Sequence, residues 1–68
     1  MPIIEVSIRR GRETAQLNDL MRAIHDATKS VLGTADGNIR VLVREVEGEL
    51  WMAGRVTLAE SAPSVPKP

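Results

Sequence analysis

Residues 14–33, TAQLNDLMRAIHDATKSVLG, decide how this chain folds. Leu17, Leu20, Met21, Ile24, Ala27, Thr28 and Val31 recur at i, i+3, i+4, i+7 spacing, which predicts an amphipathic helix about five turns long. Thr14 stands ahead of the stripe as its N-cap. Gly33 follows Leu32 where a glycine ends a helix. Upstream, residues 2–8 (PIIEVSI) alternate with a period of two, Ile4, Val6 and Ile8 on one face and Ile3, Glu5 and Ser7 on the other, so they predict a strand. Arg9-Arg10-Gly11-Arg12 breaks that pattern at a glycine. Downstream of the helix, Ala35-Asp36-Gly37-Asn38 reads as a turn. Residues 39–46 (IRVLVREV) are a second, β-branched strand with Ile39, Val41 and Val43 on one face, and Arg40, Leu42, Arg44 and Val46 on the other.

Two strands joined by one helix define a β-α-β unit with parallel strands and a right-handed crossover. Glu47-Gly48-Glu49 reads as a turn, with Glu45, Glu47 and Glu49 solvated, and Leu50 to Leu58 as a short returning hairpin interrupted at Gly54. From Ala59 onward no period survives, and three of the four prolines lie there. The expected division is therefore a folded domain over residues 1–60 and a flexible Pro-rich tail over 61–68, free or laid over a neighbouring subunit.

Size then limits what the domain can do alone. A folded monomer of 7.4 kDa exposes roughly 4,200 Å² against roughly 10,700 Å² for its extended chain. The apolar part of that burial is worth about 90 kcal/mol, and ordering about sixty residues costs the same. Chains this short recruit a disulfide, a metal or a partner. Cysteine is absent and His25 is the sole histidine, which removes disulfides and a histidine-built zinc site. Partner subunits remain, and a two-stranded sheet under one helix needs them to cover its second face.

Charge and leader signals narrow the class further. Nine basic and nine acidic residues cancel, leaving no electrostatic footprint for nucleic acid or an acidic membrane. No segment has the pattern of a signal peptide or the length of an apolar span. A cytoplasmic protein is expected. The chain contains no GxGxxG, no P-loop and no recognisable catalytic triad.

Two features remain as candidates for chemistry. Pro2 directly follows Met1, and removal of the methionine would leave a free secondary amine at the start of a strand; the same pair can equally begin a strand and do nothing more. Arginine outnumbers lysine seven to two. Arg9, Arg10 and Arg12 cluster where the first strand ends, and Arg40 interrupts an apolar strand, where a charge is costly unless paired or used. Arginine forks hold carboxylates in bidentate fashion, so this set suits a dianionic or α-keto-acid ligand. His25 reads as a helix–helix contact, and Met21 and Met52 as core or interface packing residues.

With Pro-Ile-Ile at 2–4, Gly11-Arg12, the helix ending in Leu32-Gly33, Ile39-Arg40-Val41 and the aromatic Trp51 before Gly54, the chain resembles the 4-oxalocrotonate tautomerase family of the tautomerase superfamily over residues 2 to about 58. The resemblance implies β-α-β subunits assembled as hexamers, trimers of dimers, with the initiator methionine removed. It implies Pro2 as general base and acid, and Arg12 as the group gripping a distal carboxylate. It implies Arg40, contributed by a neighbouring subunit, as the holder of the 2-oxo or 2-hydroxy end, and Trp51 where a phenylalanine usually keeps the pocket apolar. Desolvation and nearby arginines lower the pKa of such an amine from the about 7.7–8.0 of a free α-amine, so it can move a proton at neutral pH. No cofactor or metal is implied.

The expected activity is proton transfer in unsaturated 2-hydroxy or 2-oxo acids such as 2-hydroxymuconate, by a homohexamer or by one subunit type of a heterohexamer. Two departures leave alternatives. Arg9 looks like the trans-3-chloroacrylate dehalogenase relatives, where a paired arginine binds the substrate carboxylate; but the glutamate that activates water in them falls at Ala53 here. Met52-Ala53-Gly54-Arg55 is also bulkier than the family's glycine-rich stretch. A hydratase or dehalogenase of 3-haloacrylates, or a non-catalytic subunit of a heterohexamer, are the alternatives.

Overall fold

The computed structural model describes residues 2–61. Strand β1 (Ile3–Arg9) leads into helix α1 (Thr14–Leu32). A 3-10 turn (Asp36–Asn38) precedes strand β2 (Arg40–Val46). A second 3-10 turn (Gly48–Leu50) follows, then strands β3 (Met52–Ala53) and β4 (Val56–Thr57) and a short helix α2 (Leu58–Ser61). β1 and β2 pair in parallel from Ile3 opposite Arg40 to Arg9 opposite Val46. The ladder is prolonged at both ends: Arg40 N–H donates to the Pro2 carbonyl at 3.1 Å, and Arg10 N–H to the Val46 carbonyl at 2.8 Å.

The period-two reading of both strands holds. Ile4, Val6, Ile8, Val41 and Val43 are half-buried on the side that faces α1, and Ile3, Glu5, Ser7, Arg40, Leu42 and Arg44 are exposed on the other. The helix stops as its glycine requires. Gly33 adopts φ 67°, and its N–H donates to the Lys29 carbonyl at 2.8 Å, a left-handed cap that costs a residue with a Cβ about 1–2 kcal/mol. Three boundaries are corrected. Thr14 is already helical, and the N-cap is Glu13, in extended conformation with no side-chain bond; its carbonyl accepts the Leu17 N–H at 3.1 Å. Ile39 lies outside β2, buried where its N–H donates to the Asp36 carbonyl at 3.2 Å. Arg40 is consequently the first strand residue and exposed, so no charge is buried within an apolar strand.

The third correction concerns the end of the domain. Ala59 to Ser61, where the sequence shows no period, are helical, one residue past the expected domain end at 60, because Thr57 and Glu60 form a capping box. The Thr57 N–H donates to Glu60 Oε1 at 2.9 Å, and the Glu60 N–H to Thr57 Oγ1 at 3.2 Å, satisfying two free donors reciprocally. The rest of the expected Pro-rich tail, 62–68, lies outside the described residues. The hairpin forms as read: Met52 opposes Thr57 and Ala53 opposes Val56. Its two-residue turn has Gly54 at φ 69° followed by Arg55 at ordinary φ, the pattern of a type II′ turn.

The protomer has little interior. Among the described residues only Leu17 and Ile39 are buried hydrophobics, each 7% exposed. Ile3 (61% exposed), Val31 (81%) and Leu42 (50%) face outward. The hairpin packs on the 48–50 turn and α2 rather than on the β-α-β unit, giving dimensions of 42 × 23 × 15 Å. The 5263 Å² of exposed surface exceeds the roughly 4,200 Å² of a compact monomer of this mass.

Leu17→Ala is expected to lower the unfolding free energy by about 2–5 kcal/mol. Urea titration at fixed protein concentration measures it, and a loss below about 1 kcal/mol would contradict the placement of Leu17 in the core.

Candidate active site

Parallel pairing sorts the sequence-predicted residues by end and by face. Pro2 stands at the beginning of β1, half-buried. With Ile4 it lines an open apolar recess of about 370 Å³ whose opposite wall is Ala27, Thr28, Val31 and Leu32 of α1. Thr28 is admitted to this wall because its hydroxyl donates to the Ile24 carbonyl at 2.8 Å. Arg40 lies at the same end, joined to Pro2 through the backbone bond, but on the opposite face of the sheet. Its Nη1 donates to the Gly37 carbonyl, and among the described residues it meets no carboxylate.

Arg9 and Arg12 lie at the far end. Six steps of about 3.3 Å separate Ile3 from Arg9, so the two ends of the strand pair are about 20 Å apart. Arg12 is exposed, Arg9 half-buried, and neither has an acidic partner among the described residues. Arg10 differs: its Nε lies 2.7 Å from Glu47 and its Nη1 3.9 Å from Glu45. Glu45 and Glu47 therefore neutralise one arginine of the cluster rather than forming a merely solvated turn. Trp51 is half-buried beyond the end of β2, its N–H donating to the Gly48 carbonyl at 3.4 Å and its carbonyl accepting the Leu58 N–H at 2.9 Å. Ala53, in β3, carries no carboxylate. One chain thus brings Arg9, Arg12 and Trp51 to one end of the sheet and Pro2 and Arg40 to the other, and it does not bring the two groups together.

His25 sits beside the Asp36–Asn38 turn, with Nδ1 3.1 Å from Asp26 and Nε2 3.5 Å from Asp36. It contacts a turn, where sequence reading expects a helix–helix contact. Lys29 Nζ lies 2.7 Å from Asp36. That hydrogen bond, with its charge, raises the Lys29 pKa above 10.5 and lowers that of Asp36 below 3.8. The pair ties α1 to the turn whose Gly37 carbonyl receives Arg40. Glu47 and Gly48 are the residues of this region that sequence reading missed. The signal was the strand register, which sets Arg9 opposite Val46, two positions before Gly48. Among the described residues no group of three or more histidines and carboxylates is arranged to hold a metal, and no helix is long and apolar enough to cross a membrane.

A strand opening on proline, one long helix, a parallel return strand and a terminal hairpin define a tautomerase-type unit. Residues 2–60 match the family described as tautomerase enzyme, and the chain belongs to it, within the 4-oxalocrotonate tautomerase group of the superfamily. It is similar to TomN, a 4-oxalocrotonate tautomerase homologue of the tomaymycin biosynthetic pathway, at 30% identity over 97% of this chain and 100% of that one, with a TM-score of 0.85. It is similar to a heterohexamer 4-oxalocrotonate tautomerase from Chloroflexus aurantiacus J-10-fl, at 26% identity over 90% and 98%, TM-score 0.84. A third similar structure is among the 4-oxalocrotonate tautomerase isozymes of Methylibium petroleiphilum, at 28% identity over 85% and 91%, TM-score 0.82. No curated protein matches the chain.

The Lys29–Asp36 pair has a checkable pH signature. Its raised member contributes stability below 10.5 and loses it as pH climbs through the raised value; its lowered member contributes above 3.8 and loses it as pH falls through the lowered value. Asp36→Asn should therefore lower Tm at neutral pH, and the difference from the wild type should shrink beyond those two limits. A difference that grew on either side would contradict the pairing.

Proposed function

We propose that the protein is a tautomerase that moves a proton in unsaturated 2-hydroxy or 2-oxo acids of the 2-hydroxymuconate kind, with the Pro2 amine, freed by removal of Met1, as general base and acid. The observation that carries this reading is the seat of Pro2: the residue, whose nitrogen would become a secondary amine once Met1 is removed, is half-buried at an open apolar recess walled by Ile4, Ala27, Val31 and Leu32. Removing solvent disfavours the ammonium form and lowers the amine pKa toward neutrality, as do arginines brought near it. The neutral amine takes the 2-hydroxyl proton of the dienol. The resulting Pro2 ammonium returns that proton to a distant carbon, so the amine is regenerated. Arginine guanidiniums stabilise the dienolate charge that develops between the two transfers.

Such a site requires more than one copy of the chain. The about 20 Å between the sheet ends supports a site in which Pro2 of one copy meets the Arg9, Arg12 and Trp51 end of another. Arg40, on the face opposite Pro2, supports the expectation that a neighbouring subunit supplies it. The outward-facing Ile3, Leu42 and Val31 supply apolar surface for that assembly, which we propose is a hexamer of identical or of two kinds of subunit. Ala53 offers no carboxylate to activate water, so hydration or dehalogenation of 3-haloacrylates is not proposed.

Ketonisation of 2-hydroxymuconate tests the roles. Arg40→Ala should lower kcat about a hundredfold or more, the cost of removing one preorganised charge contact. Arg12→Ala should also raise KM, because it binds the carboxylate before and during the reaction. Arg44→Ala should do neither, and equal losses from Arg40 and Arg44 would contradict the assignment. In sedimentation equilibrium the folded species should have six times the 7.4 kDa chain mass; a folded single chain would overturn the assembly.

A further inference from the structure

We propose that Gly48 is a positioning residue for Arg9: by lacking a Cβ it lets the Arg9 guanidinium lie on the backbone at the end of β2, held by packing and left free to bind a ligand carboxylate. Arg9 ends β1 opposite Val46, and the chain turns at Gly48 directly beyond that pair. A Cβ built on Gly48 would stand 2.9 Å from both Nε and Nη2 of Arg9, closer than such atoms approach, and a tight 3.1 Å from its Cζ. The guanidinium therefore occupies the space that any other residue type would fill. Gly37, the central residue of the other 3-10 turn, would meet nothing within 4 Å, so the close approach is particular to Gly48.

The neighbouring charges explain why the placement matters. Glu47 precedes Gly48, but its carboxylate is taken by Arg10 at 2.7 Å. Glu45 is turned to the same arginine. Arg9 is thus half-buried, and among the described residues it has no acidic partner and its side chain donates no hydrogen bond. A guanidinium held against Gly48 loses less freedom on binding than a free one, and its fork suits a carboxylate. With Arg12, also unpaired among the described residues, it supplies two cationic groups at one end of the sheet. This inference rests on the carboxylate-binding reading proposed above.

Binding of cis,cis-muconate, a dicarboxylate, to the assembled protein by calorimetry tests it with four forms: wild type, Gly48→Ala, Arg9→Ala and the double variant. The atoms that the added methyl group would displace are the far end of a flexible side chain, so Gly48→Ala should keep the wild-type Tm and weaken binding about tenfold, the loss of one charge-assisted hydrogen bond. In turnover it should raise KM and leave kcat unchanged. Arg9→Ala should weaken binding as much, and adding Gly48→Ala to it should cost nothing more. If Gly48→Ala fails to fold, restoration of folding in the double variant supports the contact with Arg9, and failure of both overturns it. Wild-type affinity in Gly48→Ala, or an undiminished loss on top of Arg9→Ala, overturns the role of Gly48 while the carboxylate reading stands. A wild type that does not bind the dicarboxylate overturns that reading as well.

Discussion

In a parallel pair both strands begin at one end and finish at the other, and this constraint orders the rest of the molecule. The ladder from Ile3–Arg40 to Arg9–Val46 puts the proline nitrogen at the opening end and the arginine cluster at the closing end. Seven residues of strand cannot fold back to join them. The crossover helix then covers one face, which sets Pro2 at an open apolar recess, and leaves the other face, with Arg40, Leu42 and Ile3, to whatever packs there. A single chain consequently owns every group that the proposed chemistry uses without owning a site.

The same geometry explains the thin interior. With two buried hydrophobics among the described residues, the β-α-β unit has little beyond its helix–sheet seam to offset the entropy of ordering. Apolar side chains that would fill the core of a larger domain point outward instead. The dependence on partners and the division of the site between copies that we propose both follow from one short, two-stranded sheet.

Much of this was legible in the sequence, because the elements have clean periods. The helical stripe from Leu17 to Val31 and the alternation in PIIEVSI survive with boundaries moved by one or two residues. What was missed depends on contacts rather than period. Thr57-Leu-Ala-Glu60 is a capping box spelled out in the sequence, but the prolines after it suggested that order had already ended. Arg40 reads as a costly charge inside an apolar strand, whereas it stands at the strand's first residue in solvent. The Arg9–Gly48 approach needs the register of two strands far apart in sequence, and no local pattern carries that. The five residues read as site residues are distributed over both ends of the sheet, a separation that follows from parallel pairing once its register is known.

The claim that the site is shared between copies is tested most directly by mixing two forms that are each disabled. One retains Met1, so its Pro2 nitrogen stays acylated; the other carries Arg12→Ala. After subunit exchange, verified by native mass spectrometry, about a quarter of the sites in random mixtures would pair an intact Pro2 with an intact Arg12 from another copy. Recovery of 2-hydroxymuconate turnover toward that fraction is the predicted result. Verified mixed oligomers with no activity beyond that of the two forms alone would contradict it, since a site contained within one chain cannot be restored by exchange.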